Sequence, residues 1–188
     1  MIETERLALR PWQEEDVEAL FRHASHPHVG PAAGWPAHQD MEESRHVLHE
    51  LLMVDETYAI TAQATLANEL GVPAGEALGS VSLKRGEASK GFVGADEAEL
   101  GFWLARPAWG RSIMPEACEA LLEHAFVDLG LRAVWAASFS DNLQSQRVQE
   151  KLGMRDHHRQ EGVYLRLLDT TVDERVMRIT RSEWLRRR

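Results

Sequence analysis

The chain has 188 residues, 44% of them hydrophobic, enough for one well-buried core and short of a second domain by the usual size relation. Acidic residues outnumber basic ones 30 to 21, a formal net charge of −9, so the overall field repels polyanions and makes nucleic acid a poor partner. The single cysteine, Cys118, excludes an internal disulfide and a cysteine-built zinc site; with no signal-like apolar stretch and no 18-residue apolar run, the expectation is a soluble cytoplasmic protein with no membrane partner.

Arg6-Leu-Ala-Leu-Arg10 alternates like a half-buried strand, and Glu14-Glu-Asp16 then leads Val17, Leu20 and Phe21 at helical spacing, with acids where the helix dipole favours them. Residues 25–40 carry Pro27, Gly30, Pro31, Gly34 and Pro36 around an isolated Trp35 and read as irregular; together with Trp12 they are candidates to shape a pocket or simply to cap the core. A helix follows from Met41 to about Met53. Tyr58–Thr61 and Leu78–Leu83 read as strands joined by an acidic hairpin loop over 66–77, and Arg85–Glu97 as a polar loop. In Ala98–Leu104, Leu100, Phe102 and Leu104 face one way while Glu99, Gly101 and Trp103 face the other.

Next comes the longest periodic segment, a helix bearing Met114, Cys118, Leu121, Leu122, Ala125, Phe126 and Leu129 on one side and closed by Gly130. Ala133–Ala137 is a strand, Asp141–Leu152 a helix stopped by Gly153, and Val163–Leu168 and Val176–Ile179 late strands. His157 and His158 fall in what reads as a surface loop. The last 14 residues hold Arg175, Arg178, Arg181, Arg186, Arg187 and Arg188 against Glu183; read as a solvated basic tail, 175–188 leaves 15 bases against 29 acids, or −14, on residues 1–174. The whole chain is expected to be one domain.

Pro115 locates the chemistry. A proline is tolerated mainly in a helix's first turn, so this helix begins near Arg111 or Ser112, and the free N–H groups of Gly110 to Met114 converge where a strand and turn have just ended. That is the usual geometry for holding a phosphate: Gly110 permits close approach, Arg111 brings a charge and Ser112 a small donor. No G-x-x-x-x-G-K-[ST] and no G-x-G-x-x-G after a strand is present, so a different turn must do the work. His23, His26, His28, His46 and His49 lack any fixed ligand spacing, and no metal is expected. Cys118 lies on an apolar helix face and suits a buried small hydrophobe better than a nucleophile.

In order and spacing, Thr4–Arg10, Glu14–Asp16, Leu78–Val81, Glu99–Leu104, Trp109-Gly-Arg-Ser-Ile-Met-Pro-Glu-Ala117 and Asn142–Met154 together resemble the GCN5-related N-acetyltransferase (GNAT) family, in its ribosomal-protein N-terminal acetyltransferase branch. The resemblance implies an α/β (α+β) domain, a mixed and mostly antiparallel sheet of six to seven strands flanked by about four helices. It also implies acetyl-CoA as donor and a primary amine as acceptor, a protein N-terminus first and a small amine second. The family's pyrophosphate loop falls on Trp109, Gly110, Arg111, Ser112, Ile113 and Met114, with Ser112 where the motif has glycine and Met114 where it has glycine or alanine. Trp103 and Leu104 would run beside the pantetheine arm, and Asn142 would bond it near the thioester. Glu99 is the candidate base that deprotonates the acceptor ammonium, its alternative being a structural strand carboxylate. The family's tyrosine seven residues after the asparagine is replaced by Gln149, and Ser145, three residues after it, matches the branch's acid; a hydroxyl bonded to helix backbone is the other reading. A catalytically weak acyl-CoA-binding module is the second functional class, and a homodimer is left open.

Overall fold

The computed structural model describes residues 1–188. Its strands are β1 (Ile2–Glu3), β2 (Leu7–Pro11), β3 (Thr57–Ala62), β4 (Ala77–Lys84), β5 (Glu97–Leu104), β6 (Ala133–Phe139), β7 (Arg155–Leu165) and β8 (Thr170–Thr180). Its helices are α1 (Val17–Ala24), α2 (Gly30–Ala33), α3 (Met41–Val47), α4 (Ala64–Leu70), α5 (Ile113–Glu123), α6 (Leu143–Lys151) and α7 (Arg181–Leu185). The strands form one sheet in the order β1-β2-β3-β4-β5-β6-β8-β7, antiparallel at every junction except β5–β6. The α/β class and the mixed sheet are as the sequence implied, with more and shorter elements.

Two cores fix the layers. On one face the sheet residues Leu78, Val81, Leu100, Val134 and Ile179 pack with Ile113, Met114, Cys118, Leu121 and Leu122 of α5. Each fully buried large aliphatic side chain there stabilises the fold by about 1.5–3 kcal/mol, and the helical spacing of those on α5 is what docks it. On the other face Trp12, Val17, Leu20, Leu48 and Ala59 form a smaller core under α1 and α3, with Trp103 against it. Asp16 starts α1 and secures it to β2 by a two-oxygen ion pair with Arg10, at 2.7 and 2.6 Å.

The structure corrects four sequence readings. The 66–77 loop begins with α4, whose Leu66 and Ala67 are buried and whose helical spacing was masked by the Gly, Pro and acidic residues that follow. Residues 25–40 contain α2. The β7 strand runs Arg155–Leu165, so His157 and His158 are in a strand, and residues 166–168 are not; none of its residues is buried, so neither face demands apolar residues and periodicity is silent there. Finally, 175–188 is not a solvated tail. Residues 175–180 lie in β8, Trp184 of α7 is buried, Arg175 pairs with Glu150 and Asp156, Arg188 with Glu123, and Arg187 donates to the Leu152 and Lys151 carbonyls. Four of the six arginines are engaged by the body and all six stand on its last strand and helix or just after it, so −9, not −14, is its charge.

The β5–β6 junction is short: Glu97–Ala133, Ala98–Val134 and Glu99–Trp135 are its whole register. Glu97 pins it. Its buried carboxylate accepts from Trp135 Nε1 at 2.6 Å and Gly94 N–H at 3.1 Å, and pairs with Arg132 and Arg178 at 2.6 and 3.1 Å. Burial pushes this carboxyl up, but those hydrogen bonds and charges outweigh it and hold it below the usual range. Replacing Glu97→Gln is expected to cost about 3 kcal/mol by stranding buried donors and arginines, read by urea unfolding. Since the folded value is depressed, the carboxylate's contribution is complete above about pH 4.3, its unfolded value, and is lost as pH falls through the lower folded one. The stability difference between the wild-type and Gln proteins should shrink on acidification.

Candidate active site

Past Glu99 and Trp135 the two parallel strands separate, and exposure records it: Glu97 to Leu100 of β5 are buried, while Gly101 to Leu104 are half-buried. On the β6 side of that stretch the β5 backbone has no strand partner. The α5/α6 end of the split opens into a cavity of about 350 Å³.

Its floor is the turn before α5. Gly110 and Ser112 both adopt left-handed backbone, φ +74° and +57°. A Cβ at Gly110 would meet nothing, so torsion and not space selects glycine there. At Ser112 the same torsion costs about 1–2 kcal/mol. Ile113 and Met114 start α5, so their N–H groups have no intrahelical acceptor, and Pro115 in this first turn has none to offer. Trp109 closes the strand end by donating Nε1–H to the Leu104 carbonyl at 2.7 Å. Glu116 braces the turn from behind: it accepts from Thr4 Oγ1 at 2.6 Å and Arg6 Nε at 2.7 Å, and Arg6 also donates to the Arg111 carbonyl at 3.2 Å. Burial pushes the Glu116 carboxyl up, but these bonds hold it below its ordinary value.

The opposite wall is α6. Asn142 caps it, Oδ1 accepting from Ser145 N–H at 3.1 Å, and its Nδ2 donates to the Ala32 carbonyl at 3.0 Å, tying α6 to α2. Gln146 secures the helix to the end of β6 through the Phe139 and Ser140 carbonyls, both at 3.1 Å.

Of the residues singled out in the sequence, Trp103, Leu104, Trp109, Gly110, Ser112, Ile113, Met114, Asn142 and Ser145 line this one cavity. Arg111 and Glu99 do not. The cations that do line it are Arg147 and Lys151, one turn apart on α6, which the sequence reading missed. Their signal was present as an i, i+4 basic pair following the Asn142 cap. Val29, Ala32 and Ala33 also line it, so the 25–40 segment forms part of the wall.

Glu99 lies at the closed apex of the split, four residues or about 13 Å along β5 from Trp103, on the sheet face opposite α5. It is buried, and Oε2 accepts from the Lys90 N–H at 2.9 Å. On the same face Trp103 stacks on Trp12 at 6.3 Å and meets Trp35 edge-on at 5.8 Å. The other buried carboxylates there are engaged: Glu97 as described, and Glu174 by the Lys90 ammonium. Cys118 is buried beside Met114, and burial pushes its thiol far up, away from any nucleophilic role. The five histidines do not converge: His23 bonds Glu76 and His49 bonds Glu14. No helix is long and apolar enough to cross a membrane.

Relieving the one strained non-glycine position in the turn gives a direct check. Ser112→Gly should raise stability by about 1 kcal/mol and Ser112→Val should lower it by more, both read by chemical denaturation.

A family model described as Acetyltransferase (GNAT) domain matches residues 6–155. The uncharacterized N-acetyltransferase p20 of Bacillus licheniformis is 24% identical over 172 residues, covering 88% of this chain and 90% of its own. The putative ribosomal N-acetyltransferase YdaF of Bacillus subtilis is 31% identical over 70 residues, 37% of this chain and 38% of its own. Among solved structures, spermidine N-acetyltransferase from Vibrio cholerae, in complex with CoA and spermine, superposes with a TM-score of 0.72 at 14% identity, covering 97% of this chain and 99% of the other.

Proposed function

The chain belongs to the GNAT acetyltransferases and is an acyltransferase, and from that premise we propose that it moves an acetyl group from acetyl-CoA directly to a primary amine, a protein N-terminus first. The observation that carries the reading is the β5–β6 split opening onto a cavity floored by a helix N-terminus.

The residues present fit such a donor. Phe102 to Leu104, whose β6 side has no strand partner, can take an extended amide-bearing arm as an added strand, with the Leu104 carbonyl already held by Trp109 Nε1. The N–H groups of the Gly110–Met114 turn face the diphosphate, and Arg147 and Lys151 bring the full charges that Arg111 does not. When bound, acetyl-CoA supplies an electrophilic thioester carbonyl. The rest falls to the chain: Glu99, whose second oxygen has no protein partner, takes a proton from the acceptor ammonium, and Ser145 Oγ gives one to the departing sulfur.

The acceptor face favours a single ammonium. A polyamine needs several carboxylates without a cation, whereas Glu97 and Glu174 each already hold one and Glu99 bonds only a backbone N–H. The local likeness to a putative ribosomal N-acetyltransferase points the same way.

Three measurements test this. Acetyl-CoA should bind in calorimetry, and thiol release should be stimulated by peptides with free N-termini more than by spermidine; no binding sinks the donor assignment, and binding without turnover on any acceptor favours a non-catalytic module. Lys151→Ala and Arg147→Ala should each weaken acetyl-CoA binding about 10- to 100-fold, the loss of one charge-assisted contact, with a reduced salt dependence. Glu99→Gln should lower kcat about 100-fold or more with little change in acetyl-CoA affinity; an unchanged pH–rate profile in that variant would show that the base is another group.

A further inference from the structure

Gln149 is fully buried on α6, one turn beyond Ser145. Its Nε2 donates to Ser145 Oγ at 3.2 Å, and that is the only hydrogen bond the Ser145 hydroxyl makes to the protein. A helical serine can return its proton to the carbonyl one turn back; Ser145, in the first turn of α6, makes no such bond. Since Ser145 lines the cavity and its oxygen accepts from Gln149, the hydroxyl proton is left directed into the cleft.

We propose that Gln149 is a positioning residue that turns Ser145 into a proton donor aimed at the cleft, an inference that rests on reading Ser145 as the group protonating the leaving sulfur. The orientation of the Gln149 amide supports it. Its Oε1 is buried with no partner, whereas the flipped amide would leave a buried NH₂ without an acceptor, the rarer and costlier defect. The amide is neutral and holds its proton throughout the working range, so it cannot itself be the acid. Its effect is on Oγ: as the C–S bond breaks and its electron pair goes to sulfur, the proton passes from Oγ to sulfur. The Gln149 N–H stabilises the charge developing on Oγ until the cleft water restores that proton.

The experiment uses Gln149→Leu, which removes the donor, and Gln149→Glu, which replaces it with an acceptor that draws the Ser145 proton back from the cleft. Each is made alone and with Ser145→Ala. Both single variants should lower kcat about tenfold, with the KM for acetyl-CoA within about twofold of wild type, and neither should lower activity further in the Ser145→Ala background. A second readout is independent of turnover. The pH midpoint for thiolate formation by bound CoA, followed by ultraviolet absorbance, should rise in both Gln149 variants, because a donor aimed at sulfur has been lost. A Gln149→Leu loss of equal size in the Ser145→Ala background, or wild-type kcat and thiolate midpoint in both Gln149 variants, overturns the proposal. Full activity of Ser145→Ala overturns the acid assignment beneath it instead. Should Gln149→Leu fail to fold, Gln149→Glu alone decides between the outcomes.

Discussion

Three parallel backbone pairs between β5 and β6, and the fact that there are only three, set the conditions for everything else in this molecule. A sheet that continued pairing would satisfy its own backbone and leave no room between strands. Here the pairing is secured at one end by a buried carboxylate holding Trp135, Arg132 and Arg178, and released at the other, so one strand presents backbone groups to a cleft. The α5 helix is held beneath the opening by its apolar face, and α6 beside it by Gln146. The site is therefore a product of where hydrogen bonding stops, with side chains added to it.

Charge is arranged on the same plan. A net charge of −9 disfavours an anionic ligand at long range. The six C-terminal arginines offer no general remedy, because those at 175, 178, 187 and 188 are committed to carboxylates or carbonyls of the body. Attraction for phosphate is concentrated in the helix-end amides and in Arg147 and Lys151. On the opposite face Glu97 and Glu174 already hold cations, while Glu99 bonds only a backbone N–H. In the proposed reaction a cationic acceptor and an anionic donor would thus meet different local fields within one acidic protein.

How far the sequence could be read follows from which physical signals it carries. The α5 start was legible from Pro115, and the turn residues at 109–114 from the strand, turn and helix succession; nine of the eleven residues singled out line one cavity. Arg111 misled because a charge in a motif says nothing of where a long side chain points, and its neighbourhood is set by Arg6 and Glu116, more than a hundred residues apart in the chain. Periodicity could not show β7, an edge strand with polar faces; it did reach Val176–Ile179 of β8, but not α7, five residues long and flanked by arginines. The left-handed torsion at Ser112 was posed by the sequence as a question, since serine stands there for glycine, and only the backbone answers it.

The short β5–β6 junction also bears on how the chain assembles. Strands β1 to β5 pair with their neighbours in sequence order, and β6, β7 and β8 form a second group. Pairing inside each group is no more local than pairing between them: β2–β3 partners lie 47 to 55 residues apart and β6–β8 partners 35 to 47, against 36 across β5–β6. The join through α5 is rewarded by only three rungs and the Glu97 cluster. In mechanical language the sheet is two leaves stitched along a short seam, with the α5 core as its spine. The seam that leaves room for a ligand is also where the two leaves have least holding them together, so stiffness and access at this site are set by the same few residues.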